Sequence, residues 1–280
     1  MDLPLRPLDE SGFGAVVDCN LAADAEHLAP RLTAALHQHR LLIVPRQHLN
    51  HADLLAAAAC FGMVDTRVDR RYAVGGFPGL TVISNVVEDG EHVGVYDGDN
   101  EEEWHADNTF KPDLTSATLL YSVIAPAQGG ETRFADATRA YADLPPTVRQ
   151  RIEGMRSVHS IEQLGALQSQ ASGGQSSAAV GSLAGHPKVE HPLVLTHPAT
   201  GARSLLLGSM VISGITTLAE IESRALLDEL LEHTTSAPYV YSHRWEQGDL
   251  VVWDNLATLH TASPCDSSLH RRLLYRVAVR

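Results

Sequence analysis

Short apolar runs separated by alanine- and leucine-rich stretches set the first reading of the chain. Residues 22–40 and 51–61 are rich in alanine and leucine, and Gly62 closes the second, which predicts two helices. Between them Leu41-Leu-Ile-Val44, stopped by Pro45, has the pattern of a buried strand. Leu80 to Ser84 and Thr118 to Ile124 predict two more strands, the latter followed by a turn at Ala127-Gln-Gly-Gly130. The acidic, glycine-bearing segment 88–103 reads as a surface loop. Residues 137–153 predict a helix that Pro145-Pro146 splits in two. The clearest helix spans 217–233, with Leu226, Leu227, Leu230 and Leu231 along one face. Val251-Val-Trp253 and Leu273 to Val279 predict closing strands. Residues 163–187, rich in Gly, Ser and Gln, bury too little apolar surface to order themselves. Such a stretch inside a compact domain is either a mobile lid or plain disorder.

Composition narrows the class. With 280 residues, 44% of them apolar, the chain can bury a large core, and β-sandwiches of this size often form one domain. Lys plus Arg is 21 against 34 Asp plus Glu, a net charge of −13, which excludes a general nucleic-acid binder. An anionic ligand must then be held by a local cation working against the overall field. No run of about 18 apolar residues offers a membrane span, and the first residues lack a signal-peptide pattern. Cys19, Cys60 and Cys265 are too scattered for a disulfide framework and read as reduced thiols, so a cytoplasmic protein is expected.

Histidine is abundant, 15 in all, but spacing carries more than number. On a strand, residues i and i+2 share a face, so His105 and Asp107 in Trp104-His-Ala-Asp107 would aim an imidazole and a carboxylate at one point. Near the C-terminus an apolar strand, an Asp254-Asn255 turn and then His260 follow in order. Two histidines and one carboxylate make the facial triad of non-haem Fe(II) oxygenases, although zinc accepts the same ligands. On the final strand Arg272, Leu274 and Arg276 share one face, and Arg271, Leu273, Tyr275 and Val277 the other. Two guanidiniums on an inward face call for carboxylate ligands; on an outward face they would pair with surface acids.

These residues resemble those of the taurine dioxygenase / 2,4-dichlorophenoxyacetate dioxygenase (TauD/TfdA) family of Fe(II)- and 2-oxoglutarate-dependent enzymes. The match is carried by Trp104-His105-Ala-Asp107, Pro126-Ala-Gln-Gly-Gly-Glu-Thr132, His197-Pro-Ala-Thr-Gly201, Gly248-Asp-Leu-Val-Val-Trp-Asp-Asn255, and His260 with Arg272 and Arg276. It runs from near Pro7 almost to Arg280, in the family's order, with 27 residues from His105 to Thr132. Tyr239-Val-Tyr-Ser-His-Arg-Trp245 resembles the phenoxyacetate-degrading branch more than the taurine branch.

The resemblance implies a mostly β fold with flanking helices, a double-stranded β-helix (jelly roll) forming a single domain over 1–280. It implies that His105, Asp107 and His260 bind Fe(II), and that Thr132 and Arg272 hold the distal carboxylate of 2-oxoglutarate. It further implies that Arg276 faces the acidic group of a small organic acid. One departure concerns the cosubstrate arginine: the family's usual distance from the second histidine falls on Arg271, whereas aligning the Arg-Arg pair selects Arg272, which the strand-face argument also favours. Asn85 is read as a turn residue rather than a cavity residue. The activity implied consumes O2 and 2-oxoglutarate, releases succinate and CO2 and oxidises an unactivated C–H bond, with hydroxylation the expected outcome. Segment 163–187 would then act as a lid over substrate. The competing reading is a cupin-type metal isomerase or hydrolase that does not use 2-oxoglutarate. Substrate identity and oligomeric state stay open, a homo-oligomer included, and neither a nucleic acid nor a membrane is an expected partner.

Overall fold

In the computed structural model, residues 3–68, 72–96, 102–161 and 187–280 are described. The expected lid at 163–187 lies, apart from Pro187, outside them. In chain order the elements are β1 (Leu5–Pro7), β2 (Ala15–Val17), α1 (Leu21–His39), β3 (Leu41–Val44), α2 (His51–Ala59), β4 (Leu80–Ser84), β5 (Val87–Glu88), β6 (Glu91–His92), β7 (Val95–Tyr96) and β8 (Ala117–Ile124). Then come β9 (Thr132–Asp136), α3 (Ala137–Asp143), α4 (Pro146–Ile152), β10 (Arg156–His159), β11 (Val189–Pro192), β12 (Val194–Thr196), β13 (Arg203–Leu205) and β14 (Ile212–Ile215). The chain continues with α5 (Glu220–Thr234), β15 (Val240–His243), β16 (Leu250–Asp254), β17 (Thr258–Ala262) and β18 (Leu273–Val279).

The main sheet has eight strands in the order β1-β2-β3-β16-β8-β18-β4-β7. Period-2 alternation gives it two different apolar faces. Leu42, Val44, Leu119, Leu250, Val252, Val277 and Val279 pack against α1 and α2, while Leu41, Ile43, Leu120, Val251, Trp253 and Leu274 face inward. On that inner side they meet Phe134 of β9, from the three-stranded sheet β15-β9-β17. The far face of this second sheet, through Ala135 and Leu259, packs with Tyr141 of α3 and with Leu226, Leu227 and Leu230 of α5. Two sheets face each other, with helices on both outer sides, which is the mostly β class with flanking helices.

Most of the predicted elements form close to their predicted bounds. Asn20 caps α1, its side chain accepting from Ala22 N, and Asn50 and Asp53 make a reciprocal capping box on α2. Pro145-Pro146 separates α3 from α4 as expected. The segment 88–103 differs. Within its described part, β5 and β6 pair as a hairpin and β7 adds in parallel to β4, so it is not simply a loop. Gly94 permits this approach, because a Cβ there would lie 2.4 Å from the Val82 carbonyl oxygen, at a φ of +80°.

Candidate active site

His105 and His260 face each other across a single antiparallel bridge, each backbone N–H donating to the other's carbonyl at 3.0 and 2.8 Å. Their rings lie 4.2 Å apart between centroids. Asp107 does not continue a strand, contrary to the expected shared strand face. It sits in a turn, and the next residue, Asn108, has a φ of +56°, which takes the backbone out of the extended region. What positions it instead is Asn255, just after β16: its side-chain oxygen accepts from Asp107 N at 2.7 Å, and its amide donates to the carbonyls of Asp107 at 3.0 Å and Thr115 at 3.1 Å. The two histidines and the carboxylate still converge, with one donor atom from each all within 4.8 Å of one another.

Protonation states suit a divalent cation. His105 Nδ1 lies 2.8 Å from the Glu103 carbonyl, which can only accept, so Nδ1 donates to it and Nε2 is left as the nitrogen available to a metal. His260 is packed against Trp253, ring centroids 4.7 Å apart, and burial together with the neighbouring His105 imidazole holds it neutral, down to about 3. Burial opposes ionisation of Asp107, but the Arg276 guanidinium, the two histidines and the Thr118 hydroxyl outweigh it and hold the carboxyl below the usual carboxylate range. Thr118 donates to Asp107 Oδ2 at 2.7 Å, and Arg276 Nη2 donates to Oδ1. The neutral His260 imidazole and the ionised Asp107 carboxylate can therefore take a metal without losing a proton, and His105 offers a ring nitrogen beside them.

Beside this group lies a second constellation. On the β9–β17 ladder His260 is opposite Phe134 and Ala262 opposite Thr132, so Thr132 lies two residues along from the histidine. Arg272, immediately before β18, is 2% exposed and donates through Nη2 to Thr132 Oγ1 at 3.4 Å. Burial lowers the Arg272 guanidinium to about 10, which leaves it cationic at neutral pH. A buried cation next to a hydroxyl is an anchor for a carboxylate. Arg271 is exposed, so the structure brings Arg272 and not Arg271 to this place. Arg276, on the same inward face, pairs with Asp107 and keeps 26% of its side chain exposed.

Sequence reasoning gave no role to three of these neighbours. Asn255 stands in the sequence as part of a turn and as the end of the Gly248–Asn255 motif, neither of which assigns it a contact. Asn85 is buried and more than a turn residue: its oxygen accepts from Arg272 N at 2.8 Å and its amide donates to the His270 carbonyl at 2.9 Å. Trp245 donates from Nε1 to Thr132 Oγ1 at 3.1 Å. Neither of the last two could be found by spacing, because their partners lie more than a hundred residues away in sequence. The His197-Pro-Ala-Thr-Gly201 motif holds a further cluster, His37, His197 and Asp254. His197 Nδ1 accepts from Ala199 N and Thr200 N, which places its proton on Nε2, 3.0 Å from Asp254 Oδ2. Both ring nitrogens are occupied, so this histidine braces the Asp254-Asn255 turn and is no metal ligand.

A two-histidine, one-carboxylate donor set between facing β-sheets defines a mononuclear non-haem metal enzyme. Residues 4–278 match the taurine catabolism dioxygenase TauD, TfdA family, and the chain belongs to that family. It is 34% identical to the (S)-phenoxypropionate/alpha-ketoglutarate-dioxygenase of Sphingobium herbicidovorans, over 95% of this chain and 91% of that one. It is 33% identical to the alpha-ketoglutarate-dependent 2,4-dichlorophenoxyacetate dioxygenase of Cupriavidus pinatubonensis, over 96% and 94%. The crystal structure of AAD-2 in complex with Mn(II) and N-oxalylglycine superposes with a TM-score of 0.79 at 27% identity, covering 100% of this chain and 97% of that one. The chain is thus a 2-oxoglutarate-dependent non-haem iron dioxygenase, and an isomerase or hydrolase that dispenses with 2-oxoglutarate is not favoured. Among the described residues no helix is long and apolar enough to cross a membrane.

Proposed function

We propose that this enzyme hydroxylates an unactivated C–H bond of a small organic acid, converting 2-oxoglutarate and O2 to succinate and CO2 in the same cycle. His105, Asp107 and His260 would hold Fe(II); Thr132 and Arg272 would hold the distal carboxylate of 2-oxoglutarate; Arg276 would meet the acid of the primary substrate. The two facing sheets are read as a double-stranded β-helix forming one domain. The observation that carries the proposal is the convergence of three donor atoms within 4.8 Å beside a buried guanidinium–hydroxyl pair.

When bound, iron supplies the O2 activation that couples decarboxylation to C–H oxidation, the difficult chemistry of the reaction. The chain's own groups bind and orient. His105 and His260 would offer ring nitrogens, and Asp107 an anion whose charge Arg276 and Thr118 keep in place. Arg272 and Thr132, at one end of the β9–β17 ladder, would hold the distal carboxylate of the dicarboxylate. Both relatives named above are named for acids, and Arg276 is the partly exposed cation beside the donor set, which supports an acidic substrate.

The test is an anaerobic titration of the Fe(II) enzyme with 2-oxoglutarate and a panel of small carboxylates and sulfonates, read by the charge-transfer absorption, then turnover with succinate counted against O2. His260→Ala is expected to abolish succinate formation. Arg276→Ala is expected to raise the KM of the responding acid at least about tenfold, the effect of one lost charge-assisted contact, with 2-oxoglutarate affinity retained. An unchanged KM would remove Arg276 from the substrate site, and succinate formation by His260→Ala would remove the triad.

A further inference from the structure

Thr132 Oγ1 is buried and approached by two donors, Trp245 Nε1 at 3.1 Å and Arg272 Nη2 at 3.4 Å. A hydroxyl has two acceptor lone pairs and a single proton. With both donors directing hydrogen at the oxygen, the Thr132 proton has to point away from them, and a hydroxyl so oriented donates. We infer that Trp245 is a positioning residue for the cosubstrate: its indole N–H sets the Thr132 hydroxyl as a hydrogen-bond donor toward the distal carboxylate of 2-oxoglutarate. This rests on the reading of Thr132 and Arg272 as the carboxylate anchor, and it adds a residue that does not itself touch the cosubstrate.

The placement of Trp245 is built rather than incidental. His243 ends β15 directly opposite Thr132 on β9, and Trp245, two residues further on, reaches the same threonine through its indole N–H. The indole is 3% exposed, its ring meets His243 edge to face at 4.7 Å, and His243 Nε2 lies 3.1 Å from the buried Asp249 carboxylate. A buried indole N–H needs an acceptor, and the described structure gives it Thr132. Without that donor the hydroxyl could turn toward other directions, and part of its contribution to binding would be lost to rotation.

The experiment measures 2-oxoglutarate binding to the Mn(II) enzyme by calorimetry in wild type, Trp245→Phe, Thr132→Val and the double variant. Trp245→Phe is expected to weaken 2-oxoglutarate about three- to tenfold, the range for one net hydrogen bond, with Mn(II) affinity unchanged. The double variant is expected to bind no more weakly than Thr132→Val alone, because the indole acts only through the hydroxyl. In turnover the KM for 2-oxoglutarate rises while kcat holds. If Trp245→Phe does not fold, β-3-benzothienylalanine at position 245 keeps the ring shape without the N–H and takes its place. Wild-type affinity in the N–H-less protein, or an equal loss on the Thr132→Val background, would overturn the inference. A failure of the anchor reading looks different: Thr132→Val and Arg272→Met would then both bind 2-oxoglutarate as wild type does, and the role of Trp245 would fall with it.

Discussion

Asn255 holds both backbone polar groups of Asp107 with one side chain, and no other described residue does so. The amide makes a short rigid clamp between the end of β16 and the turn that carries the carboxylate, and its remaining hydrogen goes to the Thr115 carbonyl. Asn255→Ala leaves those groups buried without partners, which should cost about 1–3 kcal/mol. Because the carboxylate loses its placement too, Mn(II) affinity should fall about 10- to 100-fold, as is usual when the group supporting a ligand is removed. Thermal unfolding of the metal-free protein and a Mn(II) titration check the two parts separately. An unchanged Mn(II) affinity would mean that Asp107 is held well enough by Thr118 and Arg276. At this scale the residue types were legible in the sequence but not their geometry. His105 and Asp107 could be singled out from a tripeptide, yet the strand expected to align them is a one-residue bridge. The residue that does align Asp107 lies 148 positions away.

Among the elements, the turn before β9 decides how closely Arg272 can approach, and with it the proposed cosubstrate anchor. Gly129 and Gly130 both have left-handed φ, +71° and +67°, and a Cβ on Gly130 would lie 3.0 Å from Arg272 Cδ and 3.2 Å from Cys265 Cβ. Gly130→Ala therefore combines a left-handed backbone penalty of about 1–2 kcal/mol with pressure on the buried arginine. The expected outcome is a lower unfolding temperature and weaker 2-oxoglutarate binding, with metal affinity retained; calorimetry on the Mn(II) form distinguishes this from general loss of structure, which would lower both. Elements with a long or punctuated pattern were legible: α1, α2, β3, β4, β8 and β18 lie close to their predicted bounds, and Pro145-Pro146 marked the break between α3 and α4. The three- and four-residue strands β10 to β15 were not, because so short a run carries too few alternations to stand out, and what defines them is pairing with distant partners.

Across the whole molecule, acid sensitivity follows from histidines the fold keeps neutral. His159 on β10 is fully buried with Ser157 Oγ 2.8 Å from Nε2, and burial lowers it from 6.5 to about 3. The unfolded chain thus binds a proton the folded chain refuses between those values. The stability tied to His159 is complete above pH 6.5 and is lost as pH falls toward 3. Urea unfolding of His159→Phe should show a shallower fall in stability across that window, by up to about 1.4 kcal/mol per pH unit, and an unaltered slope would show that His159 accepts its proton without disrupting the fold. The overall class was legible only through the family resemblance. Composition permitted a large core and excluded a general nucleic-acid binder, but nothing local states that the inward face of β8, β16 and β18 meets Phe134 of a second sheet.

The position of β18 has one more consequence. It is the last strand in the sequence, yet it lies in the interior of the main sheet, paired with β8 on one side and β4 on the other. While the chain is still emerging from the ribosome, those two strands have an open slot between them and present unpaired backbone edges. The site cannot close in that interval either, since Arg272 and Arg276 arrive with the same strand. Assembly of the sheet and of the pocket thus waits for one late insertion between distant segments, so the enzyme should complete its folding only after synthesis has passed β18.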